Sequence, residues 1–254
     1  MLLAIDVGNT NTVFAVFKND VITHSWRSKT EHARSADEYA VFLKQVFDLE
    51  KIQWSDIDNV IISSVVPDVN FHLQGLCQKY IKVDAMLVNA AHTDITVDLN
   101  SPDEIGADRL VNAVAVVAQY DLPAIVIDFG TATTFDVIDT GGVYRGGIIA
   151  PGIRLSAEAL TSHAAKLPTI SIQKPDNVIG KSTKSAMQSG IYWGYVGLIE
   201  GLIKRLSDEI GTTPYVIATG GLATLYKQDL NMIDTVDNDL ILKGLLEIYK
   251  KQKE

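Results

Sequence analysis

A short polar segment near the start of the chain has residue types that suit phosphate chemistry. A first apolar run carries Asp6, a second begins near Val13, and between them stand Gly8, Asn9, Thr10, Asn11 and Thr12. Gly-Asn between alternating hydrophobic residues is also typical of an ordinary β-hairpin. In the alternative reading, a tight glycine turn exposes backbone N–H groups to phosphates and the Asp6 carboxylate holds a metal ion. The segment alone leaves both interpretations open.

A second copy of this segment lies half a chain away. Residues 5–16 read IDVGNTNTVFAV and residues 127–138 read IDFGTATTFDVI, in a chain of 254 residues. Asp128 and Thr131 occupy the matching places in the second copy. Internal repetition of this kind predicts a duplicated fold with two facing phosphate loops.

A third group of reactive side chains, GADR at 106–109, follows the sequence SPDE. Ser101 to Glu104 form a capping box pattern with proline at the first helical position, which predicts a helix from there to about Tyr120. Asp108 lies off the predicted apolar stripe, whose members are Ala107, Leu110, Val111, Val114 and Val117. A carboxylate in this place suits a general base facing a cleft, and an exposed Asp–Arg pair is the alternative. Arg109 suits either a phosphate or a carboxylate, and the sequence does not choose.

The elements that must position these residues alternate between strands and helices. Hydrophobic patterns predict strands over 2–7, 12–17, 20–27, 59–64, 84–88, 124–130, 133–138, 144–150 and 215–221. Helices are expected after Ser35, over 68–81, after Ser101, after Gly152, over 183–209 and over 239–250. Three strands followed by alternating helices and strands, an order that occurs twice, indicate a layered α/β fold.

The segment GKST at 180–183 resembles part of a P-loop but fails its pattern. Pro175 stands where a P-loop has its first glycine, and no hydrophobic strand precedes it. The helix that follows carries Gly190, Gly194, Gly197 and Gly201 along one broad face. Such a face predicts close packing, either inside the chain or across a dimer.

Composition excludes several classes of protein. A net charge of −9 argues against a nucleic-acid partner. The single cysteine, Cys77, permits no intrachain disulfide and is expected in the core, which fits a cytoplasmic protein. We expect no signal peptide, because the N-terminus lacks a basic region and carries Asp6 inside its first apolar run. We expect no transmembrane helix, because no uncharged apolar run reaches about 18 residues. The histidines show no zinc-ligand spacing.

The paired loops, with ATGG at 218–221, resemble the actin-like, Hsp70-like and sugar-kinase superfamily. More narrowly, DVGNTNT, SSVVP (63–67), GADR, DFGTATT (128–134) and GGIIAPG (146–152) together resemble the type III pantothenate kinase family along the whole chain. The resemblance implies two RNase-H-like lobes with an ATP cleft between them, which we place at residues 1–115 and 116–254. It also implies ATP-dependent phosphorylation of pantothenate, the first step towards coenzyme A.

The resemblance assigns roles to individual residues. ATP contacts are implied for the first loop and for one residue of the second: Asp6, Val7, Gly8, Asn9, Thr10, Asn11, Thr12, Val13 and Thr131. Pantothenate contacts are implied for Gly106, Ala107, Asp108, Arg109 and Thr183, with Asp108 as the proton acceptor. Asp128 is expected to hold a monovalent cation, K⁺ or NH₄⁺, and Asp6 to hold Mg²⁺ directly or through water. The family is dimeric, with its substrate site near the subunit interface.

Two alternatives use the same fold. One is a kinase for another small hydroxyl compound, and the other is a nucleotide-binding regulator without enzymatic activity. The GADR sequence, with its carboxylate at Asp108, favours an enzyme.

Overall fold

The computed structural model describes residues 1–164 and 167–253, which form two compact units. The first unit contains Met1–Ile95, Ser101–Ala118 and the C-terminal segment from Leu240. The second contains Thr96–Asn100 and Gln119–Asp239.

The first unit is built on a five-stranded sheet of order β3-β2-β1-β4-β5. Its strands are β1 (Leu2–Val7), β2 (Asn11–Lys18), β3 (Val21–Lys29), β4 (Asn59–Ser64) and β5 (Ala85–Leu87). The central strand β1 runs antiparallel to β2 and parallel to β4. Helices α1 (Ala36–Leu49) and α2 (Pro67–Leu76) pack on one face through Ile5, Val7, Leu43 and Leu73. Helix α3 (Ala107–Gln119) and the C-terminal helix pack on the other face through Ala4, Ile61, Val111 and Leu245.

The second unit repeats this topology, with a five-stranded sheet of order β10-β9-β6-β7-β8. Its strands are β6 (Ala124–Phe129), β7 (Ala132–Ile138), β8 (Tyr144–Pro151), β9 (Tyr215–Gly220) and β10 (Thr235–Val236). The helices are α4 (Ile153–His163), α5 (Thr183–Ile210) and α6 (Ala223–Lys227), and the C-terminal helix of the first unit is α7 (Leu240–Lys251). Strand β6 runs antiparallel to β7 and parallel to β9, as β1 does with β2 and β4. The predicted duplication is therefore confirmed.

Most predicted elements are present, and their local causes are visible. Ser35 caps α1 as predicted, because its hydroxyl accepts from the Glu38 N–H at 3.3 Å and its own N–H donates to the Glu38 carboxylate at 2.8 Å. Cys77 is fully buried, and burial raises its pKa to about 12, so this thiol is a core residue. Across residues 1–164 and 167–253, no helix has both the length and the apolar character that a bilayer crossing needs.

The helix that carries Asp108 starts later than the sequence predicted. Ser101 makes no side-chain capping bond, and Pro102–Glu104 form a single 3₁₀ turn. Ile105 is then extended, with φ −65° and ψ 128°, which interrupts the helix. Helix α3 begins at Ala107, where the Gly106 carbonyl accepts its first bond from the Leu110 N–H at 3.1 Å. The predicted stripe is also wrong at Val117, whose side chain is 38% exposed.

The two units differ from the predicted lobes, 1–115 and 116–254, at the C-terminal helix. Leu242, Leu245 and Leu246 of α7 pack with Leu2 and Ala4 of β1, so α7 belongs to the first unit. The physical reason is that α3 covers only part of the apolar face of the first sheet, and α7 covers the part beside it.

Candidate active site

The predicted first phosphate loop contains a turn at Gly8–Thr10, in which Gly8 is half-buried and the next two residues are exposed. The Gly8 N–H donates to the Asn11 carbonyl at 3.0 Å, which closes the turn. Asn9, Thr10 and Asn11 are exposed, as a phosphate contact requires. Val7 and Thr12 were also predicted to contact ATP, but their side chains are 1% and 0% exposed and face the interior.

Thr30 stabilises this loop through hydrogen bonds that the sequence did not predict. The Thr30 hydroxyl donates to the Gly8 carbonyl at 2.7 Å, and the Thr30 N–H donates to the Thr10 carbonyl at 3.0 Å. The Thr12 hydroxyl lies 2.9 Å from the Thr30 hydroxyl. No local signal marks Thr30, because its role depends on the pairing of β2 with β3.

Asp6 is the penultimate residue of β1, and its carboxylate is half-buried. Its neighbours in the sheet are Val13, half-buried on β2, and Ser63 on β4. Ser63 is 0% exposed, and its hydroxyl has no hydrogen-bond partner in the described part of the chain. A buried hydroxyl needs a hydrogen-bond partner, and a polar ligand at this strand end would supply one. The only hint in the sequence was the polar pair that ends the buried strand NVIISS.

Asp108 is the second residue of α3, and its half-buried carboxylate folds back over the start of the helix. Its Oδ1 accepts from the Arg109 N–H at 2.8 Å. Burial raises the pKa of the Asp108 carboxyl, and the hydrogen bond and charge of Arg109 oppose that rise. A raised pKa strengthens a carboxylate as a proton acceptor. Asn112, one turn further along α3, is 2% exposed, and its Oδ1 has no partner among the described residues.

A chain of contacts places Asp108 at the sheet edge where β1 ends. The Val65 N–H donates to the Val7 carbonyl at 3.0 Å. A Cβ atom on Gly106 would lie 3.9 Å from Val65 Cγ1. The first unit therefore brings the start of α3, with Gly106, Ala107, Asp108 and Arg109, to the edge that carries Asp6 and the first loop.

The second loop, Gly130–Thr131, joins β6 to β7, and Thr131 is exposed. Asp128 is the penultimate residue of β6, which matches Asp6 in β1, and it is half-buried. Gly220 adopts φ +90°, and a Cβ there would lie 2.6 Å from Asp128 Oδ1. Gly152, in the predicted GGIIAPG motif, lets the Thr131 carbonyl approach so closely that a side chain would collide with it.

Thr183 begins α5 and is exposed, next to the helix cap. The Ser182 hydroxyl accepts from the Ser185 N–H at 3.1 Å. Residues 167–182 contain no strand, which confirms that GKST is not a P-loop. Thr183, Asp128 and Thr131 belong to the second unit, whereas Asp6 and Asp108 belong to the first.

The donor set fits a cation that keeps waters and substrate oxygens as ligands. The described residues include no cluster of three or more His, Cys, Asp or Glu side chains that would enclose a metal ion. Mg²⁺ is commonly bound by one or two carboxylates together with waters and phosphates. The Asp6 carboxylate and the unpartnered Ser63 hydroxyl match that pattern.

Solved structures with low sequence identity share the fold. A protein from Campylobacter jejuni, described as a Baf family transcriptional activator, matches with a TM-score of 0.65 at 20% identity, over 99% of this chain and 98% of its own. A protein from Listeria monocytogenes, described as an N-acetylmannosamine kinase, matches with a TM-score of 0.58 at 10% identity, over 100% of this chain and 99% of its own. These two support the fold of two duplicated α/β lobes and nothing finer.

Sequence relatives are much closer. A type III pantothenate kinase of Rhodospirillum rubrum is 54% identical over 100% of this chain and 99% of its own length. A type III pantothenate kinase of Halalkalibacterium halodurans is 48% identical over 99% of both chains. The family model described as type III pantothenate kinase matches residues 2–205. With the duplicated lobes and the Asp108 helix in place, these matches show that the chain belongs to the type III pantothenate kinase family.

Proposed function

We infer that this chain transfers the γ-phosphoryl group of ATP to the primary hydroxyl of pantothenate, forming 4′-phosphopantothenate in the first step of coenzyme A biosynthesis. Full-length identity of about 50% to curated relatives of that name supports this reaction over a different hydroxyl substrate or a regulator. The structural observation that carries the inference is the half-buried Asp108 carboxylate at the edge where β1 ends in the phosphate loop.

Asp108 acts as the general base. The primary hydroxyl of pantothenate is a weak nucleophile at neutral pH, so a positioned carboxylate accepts its proton as the bond to the γ-phosphorus forms. Gly106, Ala107 and Arg109 share the start of α3 with this carboxylate and contact pantothenate there. Arg109 supplies a cation for an anionic group of either substrate. Thr183 offers a hydroxyl to pantothenate from the start of α5.

The first loop binds the phosphates of ATP. Asn9, Thr10 and Asn11 present exposed backbone and side-chain donors, and the turn at Gly8 gives the phosphates close access. Asp6 would hold Mg²⁺ directly or through water, and the Ser63 hydroxyl beside it on β4 would offer a further oxygen. When bound, the metal neutralises phosphate charge. Thr131 contacts ATP from the second loop, and Asp128 holds K⁺ or NH₄⁺.

The chain acts as a cytoplasmic homodimer in this proposal. The glycine face of α5 supports the dimer, because the single chain does not cover it. Gly190, Gly194 and Gly197 are exposed, and a Cβ on any of them would meet nothing within 4 Å. The buried, unreactive Cys77 and the lack of any possible intrachain disulfide fit a reducing compartment.

The direct test is ADP release from ATP with and without pantothenate, with the product identified by mass spectrometry. We expect release that depends on pantothenate and a product heavier by one phosphoryl group. Asp108→Asn, assayed in parallel, should remove the pantothenate-dependent part. Equal ADP release with and without pantothenate would contradict the proposed substrate.

A further inference from the structure

Thr30 contacts the first phosphate loop at two carbonyls, although it is separated from the loop by two strands. It directly follows β3, is 6% exposed, and belongs to no motif that the sequence singled out. Its hydroxyl donates to the Gly8 carbonyl at 2.7 Å, and its N–H donates to the Thr10 carbonyl at 3.0 Å. One residue thus fixes the first and the last carbonyl of Gly8–Thr10.

Fixing a carbonyl also fixes the N–H on the other side of the same peptide bond. The trans peptide unit is planar, and its C=O and N–H point in opposite directions. Because the Gly8 carbonyl points towards Thr30, the N–H of Asn9 points away from Thr30. With this orientation, the Asn9 N–H can donate a hydrogen bond to a phosphate.

The Thr30 hydroxyl is itself held by a neighbour. It has a single hydrogen, which it gives to the Gly8 carbonyl, so it must accept from the Thr12 hydroxyl 2.9 Å away. Thr12 is fully buried, and hydrogen bonds in such a chain strengthen one another at low local dielectric. This chain of hydrogen bonds, from Thr12 to Thr30 to the Gly8 carbonyl, therefore favours one orientation of the Gly8–Asn9 peptide.

We propose that Thr30 is a positioning residue for nucleotide binding: its hydroxyl orients the Gly8–Asn9 peptide so that the Asn9 N–H faces the phosphates of ATP. The proposal rests on the proposed function, in which this loop binds ATP. Thr30 does not touch the nucleotide and acts only through the loop. Without its hydroxyl, the Gly8 carbonyl loses its partner and the peptide is free to rotate.

Thr30→Val tests this, because valine keeps the branched shape and the backbone N–H but removes the hydroxyl. We expect the Kd for Mg·ATP to rise about five- to tenfold, as the loss of one hydrogen bond predicts, with kcat at saturating ATP changed less than twofold. Thr30→Ser, which restores a hydroxyl, should return the Kd to within about twofold of the wild type.

Thr23→Val is the matched control. The hydroxyl of Thr23, which lies within β3, donates to the Val16 carbonyl at 3.0 Å, but that carbonyl lies outside the loop. Both valine variants lose a hydroxyl that donates to a carbonyl, and Thr30→Val should lower the Tm more, because Thr30 is buried and Thr23 is exposed. Thr30→Val alone should raise the Kd for Mg·ATP, and this change separates positioning from structure. An equal Kd for Mg·ATP in the two variants would overturn the proposal, as would a Thr30→Ser variant as weak as Thr30→Val.

A second measurement covers the case in which Thr30→Val does not fold. In the wild-type protein, a non-hydrolysable ATP analogue with Mg²⁺ should slow hydrogen exchange of the Asn9 amide by tenfold or more. Unchanged exchange at Asn9 would overturn the proposal. Failure of the proposed function looks different, because the wild-type protein would then show neither Mg·ATP binding nor pantothenate-dependent ADP release.

Discussion

A Cβ atom on Gly106 would lie 2.5 Å from Oδ1 of Asp108, so the carboxylate occupies space that only glycine leaves open. We predict that Gly106→Ala displaces this carboxylate and lowers kcat by about 10²-fold, because misplacement of a catalytic group by about 1 Å has effects of that size. Steady-state kinetics measure the change. Gly75→Ala is the control, since its Cβ would make an ordinary 3.5 Å contact with Ala36 Cβ and should leave kcat at the wild-type value. A Gly106→Ala enzyme with normal kcat would show that the Asp108 geometry is unimportant.

Asp108→Asn keeps the size of the side chain and removes its basicity. We expect kcat to fall by about 10²–10⁴-fold, with the Kd for ATP within a few-fold of the wild type, because the first loop and not Asp108 binds the phosphates. A fall in kcat of less than about tenfold would reduce Asp108 to a substrate contact. A collapse of ATP binding would instead assign Asp108 to the metal site.

The same substitution should make the protein more stable at neutral pH. Burial raises the pKa of Asp108 in the folded state, so ionisation of this carboxyl opposes folding. That penalty is absent below the unfolded pKa of about 3.9 and is complete once the pH exceeds the folded pKa. Asparagine carries no such penalty. Chemical denaturation of both proteins at several pH values should show an advantage for Asp108→Asn at pH 7 that shrinks as the pH falls. An advantage that is independent of pH would contradict this account.

Asp6→Asn should weaken the use of Mg·ATP while the fold survives. The strand-end carboxylate is the acidic group beside the first loop, and loss of a group that orients a metal through water lowers metal affinity by about 10- to 100-fold. Turnover over a titration of Mg²⁺ and ATP measures the effect, with circular dichroism reporting the fold. Asp48→Asn, which removes an exposed carboxylate paired with Lys44 on α1, should behave as the wild type. Near-normal turnover of Asp6→Asn would remove Asp6 from the site.

The sequence predicted the duplicated fold well because Ile-Asp-apolar-Gly, repeated at Asp6 and Asp128, marks the same strand end in both units. The start of α3 was predicted wrongly, because the capping pattern at Ser101–Glu104 does not predict the extended conformation of Ile105. The sequence missed Thr30 and Ser63 for a different reason. Ser63 lies beside Asp6 because β4 pairs with β1, and Thr30 reaches the loop because β3 pairs with β2. No short-range spacing in the sequence encodes either contact.

Activity should require K⁺ or NH₄⁺, and Asp128→Ala should abolish that response. Gly220→Ala tests the same place without removing the carboxylate: its Cβ would lie 2.6 Å from Asp128 Oδ1, and φ +90° strains any side chain. We expect both variants to lose the stimulation by K⁺, measured as turnover in K⁺ and in Na⁺ buffers of equal ionic strength. A wild-type enzyme as active in Na⁺ as in K⁺ would refute the assignment of Asp128.

The glycine face of α5 should form the dimer interface. Glycine in a helix interior destabilises it by about 1 kcal/mol relative to alanine, and the single chain offers no packing in return at Gly190, Gly194 or Gly197. A partner helix that approaches this face closely would explain the choice of glycine. Gly194→Gln places a long side chain at the centre of the face and should yield a monomer of 27.7 kDa with reduced activity. Glu209→Gln adds the same side chain at an exposed site near the end of α5 and should leave the dimer intact. Sedimentation velocity at micromolar concentration separates the two species. A wild-type protein that sediments at 27.7 kDa and is fully active would contradict the dimer.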